Sequence, residues 1–508
     1  MSDTNRIRLA FVKEAVYGTQ VSGVKLQTLR LTGESLKQDS SIIPSEEIRD
    51  DRQIANIVRT TIGASGGFNF EMSHLSYDDL LAAALQSAND RALVTLTLDT
   101  KPTTTADTIT IGGVTYRFMT TMAAINDIAI GVDLAASQVN LIATINGTGV
   151  AGTNYYAGTT SPHPSVRIGA FVSDDAILTA IKAGLDGNAI VSTETFTAVT
   201  NIFSAATLLG GLGWTATVTK TAITISAVAA DDSFNDSGAG FTGFVANQWI
   251  YVSGFATAAN NGWFKIVSAT TSKIIVKNGA GIIDEAATPS VTIKQCPSIT
   301  NGVVLTTFNL EKTYLDLTNI LNLYSGMAVN NLNLNVPVDG LITGSFEFIG
   351  TREQSLASSG GSGYDPATTS IPLATVNDFD NMFEGNANLS IINFTLALVN
   401  SLRARLEAGT LGPSSVGVGS IAITGTLQVY FTTHTLMDKY LNHDQSSLAI
   451  ALKDGSGNGY VVDLPAIRFT SGQRVAGGRN DDVIANMEWS AFMHGTEAKT
   501  IRIARLDA

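Results

Sequence analysis

Hydrophobic and polar residues alternate along most of the chain, the period-two pattern of strands that bury one face. Residues 107–118 alternate on both sides of Gly112-Gly113, which predicts two short strands around a tight turn. Residues 214–228 (Ala216, Val218 and Lys220, then Ile223 and Ile225), 421–431 and 460–469 alternate likewise, the last behind the glycine-rich tip 454–459. Frequent strands separated by Gly, Asn, Asp and Ser turns predict a mainly antiparallel β protein. Helical spacing is confined to three places. Ser76 and Asp79 have capping-box form ahead of Leu80, Leu81, Ala84 and Leu85. Residues 135–145 place Val139, Ile142 and Ile145 on one face before Asn146-Gly147, and 435–441 turns Leu436, Met437 and Tyr440 inward. No regular internal period is visible.

Composition narrows the class. The 508 residues carry 31 Lys and Arg against 44 Asp and Glu, a net charge of −13. Phosphate binding needs clustered cations, so this balance argues against capture of nucleic acid by a basic surface. An apolar content of 44% argues against wholesale disorder. Charged residues reach only 15%, against about 25% in an average soluble protein. The lone Cys296 can neither close an intrachain disulfide nor form a paired-cysteine zinc site. Arg6 and Arg8 precede no apolar stretch, and no run of about 20 apolar residues occurs, so neither export signal nor membrane span is expected. The chain length suggests several domains. Charge density falls in the middle, which predicts segments 1–90, 91–230, 231–296 and 297–508, the two central ones inserted. The Gly/Ser loop 358–364 reads as a flexible excursion.

Little supports catalysis. Gly63, Ser65 and Gly67 match the GxSxG pattern of a nucleophile elbow, but an alternating strand follows, which suits a glycine bend better. Gly211, Gly213 and Ala216 match a dinucleotide fingerprint that likewise leads into a strand rather than a helix. His74, His163, His434, His443 and His494 lack metal-ligand spacing. Asp231, Asp232, Asn235 and Asp236 cluster oxygens near Gly238 without the order of a calcium loop. No enzymatic activity, cofactor or metal is expected. Trp249 and Tyr251 share one strand face, and Trp263 follows a turn. Exposed, they form a surface aromatic patch able to stack on a sugar or partner; buried, they are core.

Ser45-Glu-Glu-Ile-Arg-Asp-Asp-Arg-Gln53, residues 67–73 and Tyr77-Asp-Asp-Leu-Leu81 resemble, in type, order and spacing, the tail tube proteins of long-tailed bacteriophages. Tyr324-Ser-Gly326 and residues 391–394, 419–425, 454–465, 488–492 and 501–505 resemble the second half of that family, so more than half of the chain is covered. Between them, residues 109–118, 140–146, 152–156 and 187–190 resemble a module inserted in various phage structural proteins. Residues 240–264 and 284–287 resemble a second, small β module. By the same comparison 177–181 is a strand, although its local pattern also fits a helix.

The resemblance implies a β-sandwich that forms a barrel with its neighbours, flanked by a short helix, with small α+β and β domains inserted. It further implies homohexameric rings stacked into a tube, each subunit giving four strands to a continuous inner barrel through which the genome is delivered. Implied partners are further copies of the chain, tape measure, terminator and distal tail proteins, and DNA that passes without adhering. No membrane insertion is expected, and the resemblance implies a tail assembled in the host bacterial cytoplasm. A noncontractile tail is favoured. On this reading the arm from about 39 to 61, with Glu46, Glu47, Arg49, Asp50, Asp51 and Arg52, is the candidate ring-stacking interface; the alternative is a solvated charged loop. Glu71 and Glu347 are candidate lumen residues, the insertions lie outside, and removal of about 91–296 leaves a foldable core. The competing readings are a tail terminator or capsid decoration protein, or a carbohydrate-binding surface module using Trp249, Tyr251 and Trp263.

Overall fold

Strands account for 46% of the computed structural model and helices for 9%, as the alternation demands. Residues 3–103, 106–159, 162–215, 217–277, 281–287, 290–385 and 387–508 are described; Ala216 of the glycine motif lies outside them. The chain forms two compact units, Ala88–Thr217 and the remainder, Met1–Ser87 with Val218–Ala508.

The smaller unit has two four-stranded sheets and the helix Leu134–Asn146. Asp133 caps that helix by accepting from the Ala136 amide at 2.8 Å, and Gly147 ends it in the left-handed region. Leu141 and Ile145 are buried with Leu96, Ile109, Tyr116, Phe118 and Leu178, while Val139 faces out. Asp175–Ala180 is a strand paired with Leu93–Thr97, the outcome the resemblance implied.

In the larger unit, a seven-stranded sheet runs from Thr219–Ala222 to Val291–Gln295. Thr219–Ala222 and Ile225–Val228 are separate strands of that sheet, pairing with different neighbours, where alternation had suggested one continuous run from 214.

The rest of this unit is built from eight long strands. They are β1 (Lys37–Pro44), β2 (Ile57–Glu71), β3 (Leu321–Pro337), β4 (Thr343–Gly350), β5 (Asn393–Val399), β6 (Ala422–Tyr430), β7 (Gly459–Ala476) and β8 (Val483–Ala491). All neighbours are antiparallel, in the order β1-β2-β4-β3-β5-β6-β8-β7. The first four strands and the last four therefore have one topology. Each set has a short helix after its second strand, Asp78–Ala84 after β2 and Thr435–Leu441 after β6.

A second layer repeats as well. Ile7–Lys13 pairs with Thr307–Tyr314, which pairs with the first half of β3; Phe379–Glu384 pairs with Ser446–Lys453, which pairs with the first half of β7. Arg352–Leu356 and Arg502–Leu506 lie on matching edges of β3 and β7. Even the irregularities coincide. The ladder steps between Val329 and Asn331 in β3 and between Phe469 and Ser471 in β7. The chain thus folds the same sandwich twice in tandem, and residues 88–296 interrupt the first copy after its helix.

Period two decides the faces. Phe68, Phe70, Leu332, Leu334, Phe346 and Phe348 in the first copy, and Leu396, Leu427, Met487 and Trp489 in the second, turn into the sandwich. Each large apolar side chain so buried contributes about 1.5–3 kcal/mol. Phe70 packs on Tyr77 and Phe346 with ring centroids 4.4 and 4.9 Å apart, and Phe394 stacks on Trp489 at 5.7 Å.

Two local expectations are corrected, and a third segment is described by its contacts. Ser76 does not cap the helix Asp78–Ala84; its hydroxyl bonds that of Ser73 at 2.6 Å. The loop at 358–364 is anchored, because the Gly23 amide donates to the Gly360 carbonyl at 3.0 Å and Gly363–Asp365 pairs with Lys25–Thr28. In residues 231–238, the carboxylate of Asp236 is engaged by Thr224, the amides of Gly238 and Gly240, and Lys220, so its oxygens satisfy the fold.

Candidate functional site

A projecting hairpin is the most exposed part of the larger unit. β1 and residues 57–60 of β2 are solvent-exposed on both faces, and the tip 45–56 joins them. The Ser45 amide donates to Asn56 O at 2.8 Å, closing the tip. Arg49 pairs with Asp51 at 2.9 Å and approaches Glu47 at 3.9 Å. That hydrogen bond raises the Arg49 pKa and lowers that of Asp51. Glu46, Asp50 and Arg52 stand in solvent at the same tip. Sequence reasoning dwelt on these charges and missed the apolar side chains among them. Ile48 is 99% exposed, and Ile42, Ile43, Ile54, Ile57 and Val58 are each more than half exposed. A surface this apolar on an unsupported hairpin lacks the partner that would cover it.

The eight-stranded sheet has one face on the sandwich core and one face open. The ladders place Glu71 opposite Thr343, two pairs from Ser345 and four from Glu347, so both predicted carboxylates share the open face. Glu347 is exposed and accepts from Asn331 Nδ2 at 2.6 Å; Glu71 is half-buried at the end of its strand. Sequence reasoning missed Glu488, the counterpart of Glu347 in the second copy. It stands on β8 opposite Thr426 and Ser471. The signal was available in the alternation Asn486, Glu488, Ser490. Asn333, Asn335, Thr395, Thr424, Thr426, Gln428 and Gln473 fill much of the same face. Its cations among the described residues include Lys37, 3.1 Å from Asp39, and the exposed Arg468, opposite Ser490. The Ser65 hydroxyl and Lys37 hold the Asp39 carboxyl below the usual range.

The sheet also ends in two unsatisfied edges. Among the described residues, β1 pairs only with β2, and the second half of β7 only with β8. Both leave backbone donors and acceptors without a neighbouring strand. The GxSxG match falls inside this sheet. Gly66 has φ +99°, and a Cβ there would overlap the Ser35 backbone, while one at Gly67 would overlap that of Phe346. The glycines therefore permit close strand crossing, and Ser65 lies within a strand rather than at an elbow.

The surface aromatic patch is overturned. Trp249 and Trp263 are each 3% exposed and Tyr251 is half-buried. They pack against Cys296, Phe383, Ala449, Ala451, Val461, Ala504 and Leu506, and Lys453 Nζ donates to the Tyr251 hydroxyl at 2.6 Å. The aromatic strand face fastens the inserted sheet to the outer layer of the second copy. That layer is apolar on both faces for this reason, with core beneath and indoles above.

A second buried junction ties the copies together. Asp78, at the start of the first helix, accepts from Arg505 and from the Tyr460 hydroxyl, and the Leu75 amide donates to that hydroxyl at 2.9 Å. His74 lies 3.0 Å from Asp507, which also contacts Arg505.

A duplicated β-sandwich with an open polar sheet face, two unpaired edges and an exposed apolar hairpin defines a structural protein made to associate. Comparison with known families agrees: the model described as phage tail tube protein matches residues 4–295 and again 236–491. The chain belongs to the phage tail tube protein family and is a structural protein of the phage tail. Membership implies self-assembly into a tube with other tail proteins and a place in the virion tail. No curated protein matches the chain. No helix among the described residues is long and apolar enough to cross a membrane.

Proposed function

We propose that this protein polymerises as stacked rings of sixfold character whose open sheet faces line a conduit for genome delivery. The open face carries the reading. It is continuous over eight strands, dominated by Asn, Thr, Ser and Gln, and its acids Asp39, Glu71, Glu347 and Glu488 outnumber Lys37 and Arg468. Such a lining repels or ignores phosphates, where clustered cations would release counterions and grip the DNA. The hairpin 37–71 is the stacking arm. Its isoleucines supply area to bury against the next ring, and Glu46, Glu47, Arg49, Asp50, Asp51 and Arg52 set register. The inserted sheet of 219–295, held by Trp249 and Trp263, lies behind the core and away from the open face, where added mass leaves the bore clear. Tape measure, terminator and distal tail proteins are the expected neighbours, and assembly takes place in the host cytoplasm.

Negative-stain microscopy of the purified protein is the test. Long uniform tubes are expected, and dispersed monomers at high concentration would sink the proposal. Ile48→Asp should abolish tubes while changing the stability of the free chain by less than about 0.5 kcal/mol, since the side chain touches nothing within it.

A further inference from the structure

We infer that one ring is closed by three copies of this chain, through pairing of the free edge of β7 with the free edge of β1 of the next copy. The inference rests on the tube reading above. The resemblance implies six ring members with four inner strands each, and this chain supplies two such sets. Three chains therefore provide the six members.

The fold contains its own template for the joint. Within one chain the two copies meet where β3, last strand of the first set, pairs with β5, first strand of the second, from Asn331 opposite Val399 to Pro337 opposite Asn393. β7 is the counterpart of β3, and β1 the counterpart of β5. The matched ladder steps align Asn331 with Ser471. The pairing of Asn69 with Gly33 and of Gln428 with Asn393 aligns Gly33 with Asn393, hence Asp39 with Val399. Transferring the internal joint places Ser471 opposite Asp39 of the next copy, Gly472 opposite Gln38 and Gln473 opposite Lys37. Strand direction alternates without interruption across β1-β2-β4-β3-β5-β6-β8-β7, so the even number of strands leaves β7 antiparallel to the next β1. The edge of β1 is open from Gln38 onward. Before that, the Leu36 carbonyl accepts from the Tyr324 hydroxyl at 3.2 Å, and its amide donates to Glu34 at 3.0 Å.

Lys37→Cys with Gln473→Cys tests both number and register. Both side chains are exposed in the free chain, so the variant folds, and the native Cys296 is buried away from them. Mild oxidation of assembled tubes should give covalent chains that stop at the trimer on a non-reducing gel. Mass per ring of wild-type tubes, from scanning transmission microscopy and the axial repeat, should equal three chains. A ladder reaching six chains, or six chains per ring by mass, overturns the inference and leaves the tube reading standing. Variant tubes that do not cross-link overturn the edge pairing. Wild-type protein that forms no tube at all overturns the underlying reading instead, so the two failures are distinct.

Discussion

At the scale of single residues, the buried charges act mostly as fastenings between segments far apart in sequence. Arg505 is nearly inaccessible; burial works against its charge, but the carboxylates of Asp78 and Asp507 outweigh that and leave the guanidinium firmly protonated. Removing one partner strands the other in a poorly solvating site, so Asp78→Ala should cost about 3–5 kcal/mol in denaturant unfolding. His163, in the smaller unit, is a different case. Its Nδ1 accepts from the amides of Ser165 and Val166 at 3.1 and 3.2 Å, and its Nε2 faces the Ile111 carbonyl at 3.1 Å. Burial, aided by Arg167, holds its pKa below the usual 6.5 against the opposing pull of Ile111. The unfolded chain therefore takes up this proton first. The contribution is complete above pH 6.5 and is lost as pH falls from there toward the folded value. Thermal melts between pH 7.5 and 5 should decline in wild type, and His163→Gln should flatten that part of the decline.

At the scale of elements, alternation located β6 and the hairpin of 108–119 well, because half-buried strands announce themselves. It was least informative where both faces are covered. Residues 448–452 form a continuous apolar run, and 460–467, read as alternating, is buried on both faces, since indoles from a distant insertion cover the side that would face solvent in a simple sandwich. This revises the expected effect of deletion. Joining Ser87 to Val218 by a short Gly/Ser linker should preserve the duplicated core. Extending the deletion to 296 strips Trp249 and Trp263 from Ala449, Ala451, Val461, Ala504 and Leu506, and should lower both soluble yield and melting temperature. Equal behaviour of the two deletion variants would contradict this role for the aromatic face.

At the scale of the whole molecule, the sequence made the family and the β class readable, and the charge deficit pointed to an inert lining. It concealed the duplication. Matched positions keep physical type more than identity: Ser345-Phe-Glu347-Phe348 in one copy answers Asn486-Met-Glu488-Trp489 in the other, and a long insertion separates the halves of the first copy. The acidic lining gives a test at this scale. Glu347→Lys with Glu488→Lys should convert tubes from indifference to DNA retention. Its affinity should fall with salt, with a log–log slope growing by about 0.9 for each phosphate engaged, read from filter binding across a salt series. The two copies have also diverged at their tips, one bearing the long arm and the other the small ribbon of Arg403–Arg405 and Ser415–Gly417. A subunit repeated identically around a circle must carry every specialisation at every position. Covalent fusion of two copies in one polypeptide lifts that rule: their order and stoichiometry are set at translation, each half is free to specialise, and every arm has an armless neighbour that leaves it room.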